Sequence, residues 1–226
     1  MNFFAENLKV FKRIFFPLFA LVVLSSNLDQ YLNLHIENAL RDPTGAQQQV
    51  LFYGFFAILS SILFPVLLIG CCLYALNSLY NWADDLEVFL KKHLNQMYIE
   101  SLRAWGKTLL WSLLFILPGF WKYLQYSLVP FVVTSSQRYD LGKEDALQRS
   151  AEVVNKHWGK ILGILFLFHL FIPMMVTTLF DSYRLIWKTP VQSLMLSALD
   201  TYLLLVSTHI LFNIFKREVK QHDAHV

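Results

Sequence analysis

Four or five long apolar blocks divide this chain, and 15 of its 19 Lys and Arg residues fall in every second segment between them. An apolar helix of about 20 residues crosses the hydrocarbon of a bilayer, and basic segments that alternate in this way stay on the inner face. The chain therefore reads as an all-α polytopic membrane bundle, one integral domain over residues 1–226 with an assignable orientation. Composition agrees, since 56% of 226 residues are hydrophobic and only 15% are charged, more apolar surface than a soluble domain hides. The formal charge of +3 is spread along the chain rather than gathered on one basic face. That pattern fits anionic lipid headgroups and implies no nucleic-acid partner.

The blocks resolve into six arms, about 14–32, 50–76, 105–118, 120–135, 161–180 and 191–215. Lys9, Lys12 and Arg13 precede the first. A cleavable leader is the competing reading of such a start, but Ser25, Ser26 and Asn27 make a poor cleavage site and further spans come after it, so the arm is taken as retained. Lys91, Lys92, Arg103 and Lys107 lie before the third arm, and Arg138, Lys143, Arg149, Lys156 and Lys160 after the fourth. Both groups belong inside, so arms three and four must enter and leave by one face. Pro118 and Gly119 supply the hinge. As one helix, 108–135 would be about 42 Å long, too long for an untilted crossing. As two arms it forms either a thin crossing pair or a re-entrant hairpin that stops short of the outer surface, and the residues leave both open. Arg41, Lys122, Arg184 and Lys188 are then outside and both termini cytoplasmic. Trp82, Trp105, Trp121, Trp158 and Trp187 fall near span ends, where an amphipathic ring prefers the headgroups, while Trp111 is interior to a block.

Two cytoplasmic amphipathic helices are expected. Leu86, Phe89, Leu90, Leu94, Met97, Leu102 and Trp105 recur at helical spacing, with Glu87 and Lys91 as an i,i+4 pair. From about Lys143 to Lys160, Leu147, Val154, Trp158 and Ile161 form an apolar face opposite the pairs Asp145/Arg149 and Glu152/Lys156. Pro17, Pro65, Pro118, Pro130 and Pro173 give each of the first five arms a proline. Adjacent Cys71 and Cys72 sit within a block and read as small packing residues. No HExxH, nucleophile elbow or phosphate-cradling glycine loop is present, so no catalytic, cofactor-binding or metal-binding residue is assigned. Asp84 and Asp85 read as a charged helix start, and His222 and His225, with only two ligands between them, as a solvated tail.

Asp200 is the most informative single residue. It lies nine residues past Val191, about 14 Å along a helix, near the middle of the sixth arm. A carboxylate at that depth costs several kcal/mol unless it is paired or hydrated, so it should face the bundle interior. Ser193, Ser197 and Ser207 share its stripe, His209 extends it, and His169 on the fifth arm lies at comparable depth. Asp200, His169, Ser197 and His209 are thus the candidate intramembrane polar site. They serve either as a proton or cation path or as a structural clasp between the last two arms.

The run from Leu117 to Leu167 holds a Pro-Gly turn (Pro118, Gly119), an aromatic-rich span, an "AL..S" helix (Ala146, Leu147, Ser150) and a small residue, Gly159, ahead of the next span. It resembles the core of bacterial multi-pass proteins related to the membrane domain of glycerophosphodiester phosphodiesterases. The resemblance covers about 50 residues and implies topology and a bacterial inner membrane, not activity, because the soluble domain that carries catalysis in some relatives is absent from this sequence. The expected role is a non-enzymatic scaffold, lipid-associated subunit or assembly partner, its partners being membrane lipids and other membrane subunits or a second copy of itself. A small transporter or channel using Asp200 and His169, and an accessory role in lipid metabolism, are the alternatives.

Overall fold

The computed structural model describes residues 3–41, 46–80, 85–178 and 189–223. These are helical throughout, in the order α1 (Phe3–Arg41), α2 (Ala46–Tyr80), α3 (Leu86–Leu114), α4 (Ile116–Tyr126), α5 (Val129–Ser135), α6 (Gln137–Asp140), α7 (Ala146–Leu165), a π-helical turn (Phe166–Phe171), α8 (Ile172–Thr177) and α9 (Pro190–Asp223). Four stretches among them are long and apolar enough to cross a membrane: Ile14–Arg41, Gln47–Ser78, Ala146–Val176 and Pro190–Val219. Trp82, Asp84, Arg184, Trp187, Lys188 and His225 lie outside the described residues.

The first two spans form an antiparallel pair. Ser60 donates to Asp29 Oδ1 at 2.6 Å, and His35 stacks on Tyr53 with ring centroids 4.7 Å apart. The expected first amphipathic helix and third arm are one continuous helix, α3, since nothing between Leu86 and Leu114 interrupts backbone hydrogen bonding. The chain then reverses at Phe115, an extended residue with φ −157° and ψ 144°, three residues before the Pro-Gly pair. Pro118 falls in the first turn of α4, where its missing N–H needs no partner. Gly119 is where α4 lies against α3: a Cβ there would come 2.7 Å from the Cα of Ser112. The Pro-Gly pair thus seats the returning helix rather than forming the bend.

Beyond α4 the chain forms a buried plug. Val129, Pro130, Phe131, Val132 and Val133 of α5 are all buried. They lie in one core with Cys71–Leu76 of α2, Met97 of α3, Ala146, Leu147, Val153 and Val154 of α7, and Leu211, Phe212 and Phe215 of α9. Cys71 and Cys72 are free, buried thiols, as their position in an apolar block implies. A polar staple closes the plug: Ser150 donates to the carbonyl of Gln125 at 2.7 Å and accepts from the N–H of Leu128 at 3.2 Å.

The second amphipathic helix begins at Ala146 and runs into the fifth arm across a kink at His157, whose backbone is non-helical (φ −124°, ψ 23°). Its charges find partners on other elements as well as on the helix itself. Asp145 pairs with Arg103 of α3 at 2.7 Å, Lys156 with Glu218 of α9 at 2.6 Å, and Arg149 with Glu144 and Glu152. Short i,i+4 spacing made Asp145/Arg149 and Glu152/Lys156 the obvious pairs, but tertiary packing supplies closer ones.

Candidate functional site

The polar site grows from two helices whose polar residues fall on one face. On α9, Ser193, Ser197, Thr201, Ser207, Thr208 and His209 are buried, with exposures of 3% or less, and Thr201 donates to the carbonyl of Ser197 at 2.6 Å. On α1, Ser25, Ser26, Asp29 and Asn33 recur every three or four residues and form a polar stripe within an otherwise apolar span. Asp29 lies 15 residues past Ile14 and 12 before Arg41, about 22 Å and 18 Å by helical rise, in the middle of its span.

The third wall is the π-helical turn. Pro173 has no N–H for the carbonyl of His169, four residues back, and the turn before it widens so that the Ile172 N–H reaches back five residues to Leu167. The widened turn carries His169, whose Nε2 lies 3.3 Å from Ser207 Oγ on α9.

These walls enclose a cleft of about 430 Å³ lined by Ser25, Ser26, Asp29, Gln30, Asn33, His169 and Asp200, with Val22, Leu68, Phe168, Pro173, Leu203 and Leu204 as its apolar surface. Asp200 and His169 therefore share one site, as their depths implied. Ser197 and His209 lie on the same helix but do not line the cleft. They belong to the buried seam of α9 with its neighbours. Pro118 and Gly119 are elsewhere, in the α3–α4 reversal.

Asp29 is the residue that linear reading missed. It lies near the polar end of the first arm, 14–32, just past Ser25, Ser26 and Asn27, and so does not stand out in the linear sequence. The signal was the i, i+4, i+8 spacing of Ser25, Asp29 and Asn33.

The cleft is open on one side. Asp29, Asn33 and His169 are exposed in the single chain and Asp200 is half-buried. No Lys or Arg lines it, and among the described residues no three His, Cys, Asp or Glu side chains converge to hold a metal ion. Its chemistry is that of hydrogen-bond acceptors and two carboxylates in surroundings of low polarity, which attract donors and positive charge.

A second, charged cluster ties α3, α7 and α9 together. Asp145 caps α7 by accepting from the N–H groups of Leu147 and Gln148. Burial works against its charge, but the Gln148 N–H and the Arg103 guanidinium outweigh it and hold the carboxyl below the usual range. Glu218 is likewise held low, its partial burial outweighed by Lys156 and His157 at 2.6 and 2.8 Å. Tyr139, half-buried beside Glu100, is pushed up to about 12 by that partial burial and the neighbouring carboxylate. Set against known protein families, curated proteins and solved structures, the chain finds no match.

Proposed function

We propose that the chain is a non-enzymatic subunit of a bacterial inner membrane, both termini cytoplasmic, that assembles with a partner span through the open polar cleft. The observation that carries this reading is the exposure of Asp29, Asn33 and His169 in the middle of the candidate spans. Lipid tails offer such groups no hydrogen bonds, and a carboxylate facing them costs roughly 2.5–3.5 kcal/mol on insertion scales. A neighbouring helix bearing donors or a positive charge, from a second copy or another protein, satisfies them. The basic residues of α3, α7 and the end of α9 set the orientation.

Native mass spectrometry of the chain in nanodiscs drawn from its own membrane tests the assembly. A stoichiometric partner or homo-oligomer that weakens in the Asp29→Asn/Asp200→Asn double variant is the expected result. A bare wild-type monomer would sink the reading.

The volume of the cleft favours a second reading, a transporter for a small positively charged solute, since 430 Å³ exceeds what a helix contact alone requires. That reading needs uptake of a small amine by proteoliposomes of the monomer, lost in Asp200→Asn. An accessory part in lipid metabolism has only the resemblance of residues 117–167 behind it.

A further inference from the structure

The α3–α4 hairpin ends in the most exposed apolar run among the described residues: Leu113 76%, Leu114 64%, Phe115 72%, Ile116 84% and Leu117 81%. We propose that this hairpin is a wedge that enters the cytoplasmic leaflet and turns back within it, its tip seated among lipid acyl chains. The assignment to that leaflet rests on the proposed cytoplasmic placement of the basic segments; the shape of the wedge does not.

Both arms are fastened to the basic part of α7. Arg103 on the outgoing arm bonds Asp145 at 2.7 Å, and Gln125 on the returning arm bonds Asn155 at 2.9 Å. From those anchors to Phe115 there are 12 and 10 residues, about 18 and 15 Å of helix, against about 30 Å of hydrocarbon. The hairpin is too short to cross.

Its direction is set by its register on α7. Gln125 meets Asn155 and Trp121 meets Trp158 at 6.2 Å between centroids, so α4 runs antiparallel to α7 and its start points the way α7 enters the membrane. Counting nine residues from Gln125 back to Ile116, and the same distance on from Asn155, places the tip level with residue 164. That is about 6 Å beyond Lys160, the last basic residue before the span, and within the 5–10 Å typical of interfacial insertion. Lys122 lies on the returning arm with its Nζ over the rings of Trp111 and Tyr126, at 5.8 and 5.7 Å. This is the posture of a cation reaching back toward headgroups from an apolar face. Lys122, expected outside in a crossing pair, then joins the inner set and leaves Arg41, Arg184 and Lys188 outside.

Variants of the full chain that each add one cysteine, in sealed vesicles of each orientation, decide the matter, with Cys71 and Cys72 kept as buried background. Lys107→Cys and Lys122→Cys should both react with an impermeant maleimide only from the cytoplasmic face. A nitroxide at Leu117→Cys should collide with oxygen far more than with a water-soluble nickel chelate, at a depth of about 5–10 Å. Ile116→Cys serves as the second tip variant. Labelling of Lys122→Cys from the outer face would mean a crossing pair. A tip nitroxide reached freely by nickel would mean a water-exposed loop, and one shielded from both would mean protein cover; each overturns the wedge. Lys216→Cys reports the orientation of the chain separately, so an inverted chain and an absent wedge give different patterns.

Discussion

The two spans α2 and α9 reverse the usual relation between hydrophobicity and burial. α2 is the most apolar of the four candidate spans, yet 33% of its most apolar window is buried, whereas in the more polar α9 the share is 50%. The N-terminal half of α2 turns Leu51, Phe52, Phe55 and Ile58 outward, while α9 turns Ser193, Ser197, Thr201, Ser207 and His209 inward. Lipid tails are as apolar as leucine, so apolar surface gains nothing by hiding from them; polar groups do. Within the membrane it is the polar stripe that marks the protein interior. Ordinary apolar core packing is densest at the α5 plug, where Val129, Phe131, Val132 and Val133 are all buried.

The sharpest way to break this comparison is a matched pair of phenylalanines. Phe131 in the plug is 2% exposed and Phe55 on α2 is 63% exposed. Phe131→Ala should cost about 3–5 kcal/mol, the usual loss for emptying a core site. Phe55→Ala, which trades ring for lipid, should cost under about 1 kcal/mol. Equilibrium unfolding in mild detergent measures both, and equal losses would mean that the face of α2 is buried against something in the bilayer.

A smaller effect separates two glycines of the α3–α4 hairpin. A Cβ at Gly119 runs into the backbone of Ser112, but one at Gly106 meets nothing within 4 Å. Gly119→Ala should destabilise by about 1–3 kcal/mol through forced separation of the helices. Gly106→Ala should be neutral or stabilise by up to about 1 kcal/mol, since alanine favours a helix interior. The same unfolding assay reads both.

The charged clasp between α3, α7 and α9 adds a dependence on pH. Asp145 and Glu218 have carboxyl groups held below their ordinary values of 3.8 and 4.5 in the folded chain. A depressed folded value means that the stabilisation is fully present above the unfolded value and is lost as pH falls through the folded one. Stability should therefore be flat in these two groups from neutral pH down to about 4.5 and decline below it. Asp145→Ala should remove its part of the decline along with about 1 kcal/mol of helix capping. An unchanged acid limb in that variant would assign the effect to other carboxylates.

Much of this was legible in the chain. The helical fold and the four long apolar stretches come from apolar length and helical periodicity. The features that were not legible depended on contacts between distant segments. The plug α5 reads as half of a span because five consecutive apolar residues look the same whether lipid or protein surrounds them. Pro118-Gly119 reads as the bend because proline breaks helices, yet proline is harmless in a first turn and the bend falls at Phe115, whose type gives no warning. Asp29 is hidden because it falls near the polar end of arm 14–32, where a carboxylate looks like an ordinary interfacial residue. The partners of Arg103 and Glu218 are 42 and 62 residues away in sequence, beyond any local pairing rule.

The smallest expected effect bears most closely on the polar seam. Ser207 donates to the carbonyl of Leu204 at 3.0 Å while its Oγ also lies 3.3 Å from His169 Nε2. Ser207→Ala removes one link between α9 and the π-helical turn and leaves a methyl group in nearly the same space. Hydrogen bonds between membrane helices average about 0.6 kcal/mol, because the separated helices also find partners. A loss of that size, with the assembly unchanged, would place Ser207 and His169 in the seam that holds the spans together. A loss several times larger would instead make the Ser207–His169 contact the main tie between α9 and the π-helical turn.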